Sequence, residues 1–315
     1  MSLTSKLTEK NVRLELNNIV RKPIFSTNKN KPLICSCFDD GPWIGTAFDY
    51  IFRFGLIARG YAKRTSIVAS KGLLNFRRPY KVDSAEVLNR YTRSLLKLDK
   101  MRAIRKLRKD CASAAFTLSR FDVFYRAFSI DEKIILQEPS AKQISELQRL
   151  YEIIPWEVFK PKKSIFLNPT FNHGSLLVGG ADCDLIIDNK IIEIKTIKRN
   201  NISIGDIRQL LGYYILAKNF GIAGSRSKFQ RDKLGVYLAR HGKVIWFSVH
   251  EALKEKHERR FLLSLVGSDY KSTLKKLINR NKEIELMEMI ENISKKTNTY
   301  SKINFPRSLL TKGIK

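Results

Sequence analysis

Residues 179–195 have the sequence GGADCDLIIDNKIIEIK, and this stretch decides the fold. Two apolar runs, at 185–187 and 191–194, flank a polar segment at 188–190. Apolar strands of this length that are joined by Asp and Asn are typical of a β-hairpin. Acidic residues precede the first run, and an acid and a lysine interrupt the second. Because buried charges need a compensating reason, the stretch predicts a hairpin that carries a functional site.

The charged side chains of this hairpin are expected on one face. Side chains alternate along a strand, so Glu193 and Lys195 share a face while Ile194 points into the core. Asp184 lies nine residues before Glu193 on the other arm, where a tight hairpin brings the two carboxylates together. Asp182 lies two residues before Asp184 and competes with it for this place. We favour Asp184 because the apolar strand follows it directly.

An acid pair with a neighbouring lysine suits the hydrolysis of phosphodiester bonds. A divalent metal ion held by carboxylates activates water and stabilises the negative charge of the transition state. Asp184 and Glu193 are the predicted metal ligands, and the backbone carbonyl of Ile194 would point to the same place. Lys195 would orient the water. The competing interpretation is an edge strand with a solvated face, on which the acid and the lysine form an ordinary ion pair.

The segment 204–220 is predicted to form the next helix, opened by a capping box of Ser203 and Asp206. Gln209 and Tyr213 are four residues apart and therefore share a helix face. The expected buried stripe consists of Ile207, Leu210, Leu211 and Tyr214. Gln209 could then reach the metal-bound water or a phosphate, and Tyr213 could pack against the substrate.

These features together resemble the PD-(D/E)xK nuclease superfamily. Its members carry an Asp at the opening of one strand and a Glu-x-Lys motif on the next, which correspond to Asp184 and to Glu193 with Lys195. The Gln-xxx-Tyr spacing on the following helix is similar to a motif of the RecB-like branch. The resemblance covers about 175–250. It implies a restriction-endonuclease-like core, in which helices flank a central mixed sheet, and a Mg²⁺ or Mn²⁺ cofactor.

The RecB-like branch also has a Gly-xxx-His motif on an upstream helix, and the His of that motif binds metal. The corresponding stretch here is 45–49, in which Asp49 stands where the branch has His. A carboxylate suits Mg²⁺ better than an imidazole does, so the resemblance makes Asp49 a candidate third metal ligand. Glu146 and Glu152, on the helix expected before the strands, are the alternatives.

The 315-residue chain is strongly basic, with 59 Lys and Arg against 30 Asp and Glu and a formal net charge of +29. This excess favours a nucleic-acid partner, because each neutralised phosphate releases counterions, and the resemblance points to DNA. No apolar run reaches the length that spans a bilayer, so no membrane partner is expected. The N-terminus lacks an apolar signal-peptide core and the four cysteines form no CxxC pair, which indicates a cytoplasmic protein with reduced thiols.

The expected fold class is α/β, organised in four parts. They are residues 1–57 with the first core helix, a basic helical insert at 58–139, the nuclease-like core at 140–250 and a basic helical C-terminal extension at 251–315. Helices are predicted at 43–57, 140–153 and 204–220, and strands at 165–167, 175–178, 184–187, 190–196, 233–240 and 243–249. Helical periodicity in the insert predicts an apolar stripe of Ala85, Val87, Leu88, Tyr91, Leu95 and Leu96.

The sequence therefore predicts a Mg²⁺-dependent nuclease that hydrolyses phosphodiester bonds of DNA. The superfamily implies a role in defence against phage and mobile elements, in recombination or in repair. No P-loop motif is present, which suggests a partner ATPase or helicase, or another protein of a defence operon. The alternative is a non-catalytic nucleic-acid-binding protein on a nuclease-like fold. A third hypothesis, a basic scaffold for anionic surfaces, predicts that Asp184, Glu193 and Lys195 do not cluster in space.

Overall fold

The computed structural model describes residues 2–25, 31–36, 41–63, 65–70, 84–103, 106–127, 133–226, 229, 233–274 and 303–304. The fold is α/β, with a five-stranded mixed sheet flanked by helices, and the predicted fold class is confirmed at this level. Among the described residues, no helix combines the length and the apolarity that crossing a bilayer requires. Most of the predicted C-terminal extension, from 275 onward except for 303–304, lies outside the described residues, as does 71–83 of the predicted insert.

The helices are α1 (Leu3–Thr8), α2 (Lys10–Ile19), α3 (Gly41–Ala58), α4 (Ser84–Asp99), α5 (Lys109–Ala127), α6 (Lys133–Leu136), α7 (Ala141–Glu152), α8 (Asn172–Leu177), α9 (Ile204–Phe220), α10 (Val249–Ala252) and α11 (Glu258–Val266). The strands are β1 (Thr65–Ser66), β2 (Ile165–Leu167), β3 (Leu185–Ile187), β4 (Lys190–Lys195), β5 (Lys233–Leu238), β6 (Lys243–Ser248) and β7 (Ile303–Asn304). Single-turn 3₁₀ helices lie at Trp156–Phe159, Ala239–His241 and Glu255–His257.

The main sheet has the strand order β2-β3-β4-β5-β6. Its neighbouring strands are antiparallel except for β4 and β5, which are parallel. A parallel pair needs a crossover connection, and α9 supplies it. The strands β1 and β7 form a separate parallel pair. As a result, β4, which carries Glu193 and Lys195, and α9, which carries Gln209 and Tyr213, are consecutive elements of one crossover unit.

The β3–β4 hairpin is closed by the two residues Asp188 and Asn189. Their φ angles are +48° and +64°, which a type I′ turn requires and which Asn and Asp tolerate better than most residues. The turn sets Ile187 opposite Lys190, so Lys190 is the first residue of β4, where the predicted strand begins. The predicted tight hairpin is confirmed.

The Asp188 carboxylate also anchors the turn to the preceding chain. It accepts the backbone N–H groups of Lys162, Lys163 and Ser164 at 2.7–3.2 Å. Burial acts to raise the pKa of Asp188, but these donors outweigh it and hold the pKa below its usual value. Asp188 therefore has a structural role, as its position in the turn predicted.

Alternation along β3 and β4 divides their side chains between two apolar cores. Leu185 and Ile192 pack with α3, α4, α5 and α7 on one face of the sheet. Ile186 and Ile191 pack with α1, α2, α9 and α11 on the other face. Since Glu193 follows Ile191 by two residues, its side chain points to the α9 face. The hairpin thereby presents its charged positions to the helix that carries the predicted Gln and Tyr.

Local sequence signals placed most elements correctly. The helix α9 has the predicted bounds and the predicted capping box of Ser203 with Asp206. A second capping box, formed by Ser140 with Gln143, opens α7. In α4 the buried stripe is rotated from the expected one, because Leu88 and Leu96 are 46% and 42% exposed whereas Val87, Tyr91, Leu95 and Leu98 are buried. The helices α4 and α5 of the predicted insert share an apolar core with α3.

The predicted strand at 175–178 is wrong, because residues 172–177 form the helix α8. A short apolar run cannot be distinguished from a helix by periodicity alone. The Ser175 hydroxyl accepts a hydrogen bond from the Phe171 N–H and donates one to the Ala181 carbonyl. These two bonds connect the residues before and after α8. Gly174 lies against the Phe220 ring, where a Cβ atom would approach a ring carbon to 2.5 Å, so this close contact with the end of α9 requires glycine.

Asp188→Ala is expected to destabilise the fold by about 1–3 kcal/mol, because three backbone donors lose their charged acceptor. Urea unfolding monitored by circular dichroism measures the change. Asn189→Gly is the matched control, since glycine adopts a positive φ without strain, and it should stay within about 0.5 kcal/mol of the wild type. Equal unfolding midpoints for Asp188→Ala and the wild type would show that the carboxylate does not anchor the turn.

Candidate active site

The predicted site residues of the hairpin converge at the C-terminal end of β4. The β3–β4 register sets Leu185 opposite Ile192, so one step further Asp184 stands opposite Glu193. Directly opposed side chains of an antiparallel pair lie about 5 Å apart. The Asp184 carboxylate turns toward β4, where its Oδ2 atom accepts the Ile194 N–H at 2.6 Å. Asp184 and Glu193 thus form a facing pair of carboxylates, as the hairpin predicted.

Lys195 lies at the centre of the polar contacts. Its Nζ atom lies 2.8 Å from Glu193 Oε1 and 3.0 Å from Gln209 Oε1. The same ammonium group is 3.9 Å from Asp206 Oδ1. A lysine ammonium has three donors, so these neighbours surround it. The clustering of Asp184, Glu193 and Lys195 argues against the scaffold hypothesis, which required them to be apart.

The helix α9 supplies the second half of the cluster. Gln209 Nε2 donates to the Tyr213 hydroxyl at 2.9 Å, as the four-residue spacing allows. The Tyr213 ring is stacked on Phe171 with 5.6 Å between centroids, and only 4% of the residue is exposed. Tyr213 is therefore buried and orients the Gln209 amide through this hydrogen bond. The sequence had suggested instead that Tyr213 would pack against a substrate.

Asp206 and Arg199 belong to the cluster although the sequence did not mark them as site residues. Asp206 Oδ2 accepts hydrogen bonds from the Ser203 N–H at 2.8 Å and from Arg199 Nη2 at 2.5 Å. Asp206 was predicted only as a capping residue. Its position one turn before Gln209 is the signal that could have revealed the second role, because residues three apart share a helix face.

Burial and like charges act on the acids together. Burial raises the pKa of Asp184 well above its ordinary value, and the charges of Glu193 and Asp49 raise it further. Burial also raises the pKa of Glu193, although Lys195 acts in the opposite direction. Burial alone would lower the pKa of Lys195, but the surrounding carboxylates, Glu193 first, raise it overall. With all of its acids ionised the site would hold more negative than positive charge, and burial opposes that state.

Asp49 is the upstream carboxylate that acts on Asp184. A Cβ atom at Gly45 would lie 3.8 Å from Thr196 Oγ1, which places the start of α3 beside the end of β4. Asp49 Oδ2 forms an ion pair with the fully buried Arg53 at 2.6 Å. The Asp49 charge nevertheless contributes to the raised pKa of Asp184.

The other acids that the sequence raised as ligands have different surroundings. Glu146 forms a buried ion pair with Arg240 at 2.5 Å, whereas Glu152 is exposed. Asp182 forms an isolated β-bridge with Thr170, and its charge raises the pKa of Glu193. Asp182 and Asp184 therefore both lie near Glu193, and both stay candidates for a metal ligand.

The donor atoms suit a hard divalent cation. Glu193 Oε2 and Asp49 Oδ1 are buried and have no hydrogen-bond partner among the described residues. Carboxylate oxygens are the ligands that Mg²⁺ prefers, and a cation would offset the surplus negative charge. The second carboxylate oxygen of Glu193 pairs with Lys195, and that of Asp49 pairs with Arg53. Within the described part of the chain, no group of three or more His, Cys, Asp or Glu is spaced to hold a metal ion.

No protein-family model, curated protein or solved structure matches this chain. Function is therefore inferred from the geometry and charge of the cluster formed by Asp184, Glu193, Lys195, Asp206 and Gln209.

Asp184→Asn is expected to stabilise the metal-free protein at pH 8. Since the pKa of Asp184 is raised in the folded state, stability is lost as the pH rises from the ordinary carboxylate value, about 4, through the raised value. The amide oxygen of Asn can still accept the Ile194 N–H, so the change removes charge and keeps the hydrogen bond. In thermal unfolding with EDTA, the variant should unfold roughly 2–4 °C higher for each kcal/mol gained.

Asp188→Asn is the matched control, because the pKa of Asp188 is lowered and the sign is reversed. This control should be less stable than the wild type at pH 8, and the difference should vanish as the pH falls below about 4. An unfolding temperature of Asp184→Asn at or below that of the wild type at pH 8 would contradict the expected cost of burying the Asp184 charge.

Proposed function

We propose that this protein is a divalent-metal-dependent nuclease that hydrolyses phosphodiester bonds of DNA. The observation that supports it best is the Lys195 ammonium, which lies within hydrogen-bond distance of both Glu193 on its own strand and Gln209 on α9, beside the facing carboxylate of Asp184. An edge-strand ion pair, the competing interpretation, would not need a buried second acid or a helix-borne amide. Both are present here.

The order of elements is compatible with the superfamily that the sequence resembles. The strand-opening Asp precedes β3, the Glu-x-Lys motif lies on β4 and the Gln-xxx-Tyr motif lies on α9. A five-stranded mixed sheet flanked by helices supports the proposal of a restriction-endonuclease-like core. The presence of all three motifs at one end of β4 adds weight, because each of them alone is a common local pattern.

Each residue then has a chemical role. Asp184, Glu193 and the Ile194 carbonyl would hold Mg²⁺ or Mn²⁺, with Asp49 as a further ligand. When bound, such an ion lowers the pKa of water and stabilises negative charge on phosphate oxygens. Lys195 stays protonated and donates to the attacking water or to the developing charge, because the carboxylates raise its pKa. Gln209 positions Lys195, and Tyr213 positions Gln209.

Asp206 and Arg199 extend this arrangement toward solvent. The Asp206 carboxylate lies between Lys195 and Arg199 and separates their positive charges. The Arg199 side chain is 43% exposed, so it can approach a substrate phosphate at the mouth of the site. The net charge of +29 favours a polyanionic substrate. A role in phage defence, recombination or repair is part of the proposal through the resemblance alone. The proposed partner ATPase rests on the lack of a P-loop motif in this sequence, and the proposed cytoplasmic location rests on its few, unevenly spaced cysteines.

The second candidate is a non-catalytic nucleic-acid-binding protein on a nuclease-like fold. The pairing of Glu193 with Lys195 and of Asp49 with Arg53 favours it, since each cation already neutralises a carboxylate whose charge would attract a metal. Under this hypothesis the ion pairs persist in the presence of Mg²⁺. Metal binding and cleavage therefore discriminate between the two candidates.

Glu193→Gln and Lys195→Met are each expected to reduce Mg²⁺-dependent DNA cleavage by about 100-fold or more, while DNA binding in EDTA is retained. Cleavage of a labelled duplex and of a single strand is measured with purified protein in Mg²⁺ and Mn²⁺. Arg108→Gln is the control, because its side chain is 70% exposed and lies in an ion pair outside the cluster. Its cleavage rate should equal that of the wild type.

Mn²⁺ should raise the unfolding temperature of the wild type and leave Glu193→Gln unchanged, because a ligand that binds only the folded state stabilises it. Cleavage by both variants at the wild-type rate would refute the catalytic assignment. Absence of both cleavage and Mn²⁺ stabilisation in the wild type, with tight DNA binding, would favour the non-catalytic candidate.

A further inference from the structure

Among the residues that the structure describes, Arg208 is a buried cation without an acidic partner. It follows Asp206 on α9, and only 8% of the residue is exposed. Its Nη2 atom donates to Asn17 Oδ1 on α2 at 2.5 Å, and its Nε atom is buried with no hydrogen-bond partner among the described residues. Arginine is rarely this buried unless an anion accompanies it. The buried Arg208 guanidinium therefore lacks a neighbouring negative charge in the described part of the chain.

The surroundings of Arg208 add positive charge. Burial lowers the pKa of Arg208, and the neighbouring charge of Arg13 lowers it further. Arg13 lies one helical turn before Asn17, so both face the guanidinium from α2. The repulsion between Arg13 and Arg208 is a cost that a bound anion would remove.

The acids closest in sequence are engaged elsewhere. On α2 and at its start, Glu15 pairs with Arg260 and Glu9 pairs with Lys6. On α9, Asp206 pairs with Arg199. No ion pair joins Arg208 to a carboxylate in the part of the chain that the structure describes, so a bound external anion would supply the missing negative charge.

We propose that Arg13, Asn17 and Arg208 form a phosphate-binding site for the nucleic-acid backbone, beside the catalytic cluster. A guanidinium group presents donors in a planar fork that fits two phosphate oxygens. Asn17 uses its oxygen to accept from Arg208, which leaves its amide N–H groups as further donors. Arg13 and Asn17 are exposed, so a phosphate can reach the site from solvent and take the place of the Asn17 oxygen.

The position of this site links it to the proposed reaction. Arg208 and Gln209 are consecutive residues of α9, and Gln209 contacts Lys195. Consecutive helix residues diverge by about 100°, so Arg208 faces α2 while Gln209 faces the carboxylates. Under the proposal, a strand with one phosphodiester at Lys195 places a flanking phosphate beside α2. This inference rests on the proposed function for its choice of nucleic acid as the ligand.

Arg13→Gln tests the site without disturbing the core, because Arg13 is exposed. Binding of a labelled 20-base-pair DNA duplex and of a 20-nucleotide single strand is measured by fluorescence anisotropy in EDTA, from about 50 to 200 mM salt. Loss of one phosphate contact should reduce the slope of log K against log salt by about 0.9 for the duplex or 0.7 for the single strand. Arg108→Gln, with the same change of charge, should keep the wild-type slope.

Asn17→Asp is the sharper variant, because it supplies the missing carboxylate. It should raise the unfolding temperature by neutralising Arg208 and, at the same time, weaken DNA binding by occupying the phosphate site. Asn18→Asp, an exposed neighbour on α2 with the same change of charge, should weaken binding less and should not stabilise the fold. A purely structural Arg208–Asn17 contact predicts stabilisation of Asn17→Asp without the additional loss of DNA affinity.

Unchanged salt slopes for Arg13→Gln, or equal DNA affinities for Asn17→Asp and Asn18→Asp, would overturn the phosphate site. Because these measurements are made in EDTA, they do not depend on cleavage. Reduced slopes together with an inactive wild type would support the phosphate site and refute the nuclease. Cleavage by the wild type together with unchanged salt slopes would support the nuclease and refute the phosphate site.

Discussion

A single ammonium group among buried carboxylates is the constraint on which the site depends. Lys195 contacts Glu193 and lies close to Asp206, while Asp184 faces Glu193 across the hairpin. Three acids and one cation leave negative charge unbalanced, and in a region of low dielectric the acids repel one another. The fold tolerates this cost because the backbone and α9 hold the members of the cluster in place, and a divalent cation, bound as proposed, would reduce it.

The segments before and after Lys195 in the chain fix the positions of the side chains in the cluster. The type I′ turn sets the register of β3 and β4, and a slip of one residue would move Glu193 and Lys195 to the opposite face. The crossover helix α9 then begins at a capping box whose acid, Asp206, also neighbours the lysine. The side chain that signals the start of the helix is thereby also a site residue, which fixes the start of α9 relative to β4.

The parts of the fold that follow from short-range patterns were predictable. The strands β3 and β4, the helix α9 and its cap are each determined within fewer than 20 residues. Pairings over long separations were not, since local spacing does not specify that Arg53 engages Asp49 or that Arg240 engages Glu146. The helix at 172–177 was missed for a similar reason: its Gly174 is selected by contact with Phe220, a residue of a later element.

The sequence separations within the site bear on the order in which it assembles. Asp184, Lys195 and Gln209 lie within 26 residues of one another, so their contacts close short loops at low entropic cost. Asp49 is 135 residues before Asp184 and reaches it only when α3 has docked on the sheet. The electrostatic repulsion that Asp49 adds to Asp184 therefore arises at a late, long-range step of folding. A cation that neutralises it would act on the final docking of α3 more than on the formation of the hairpin.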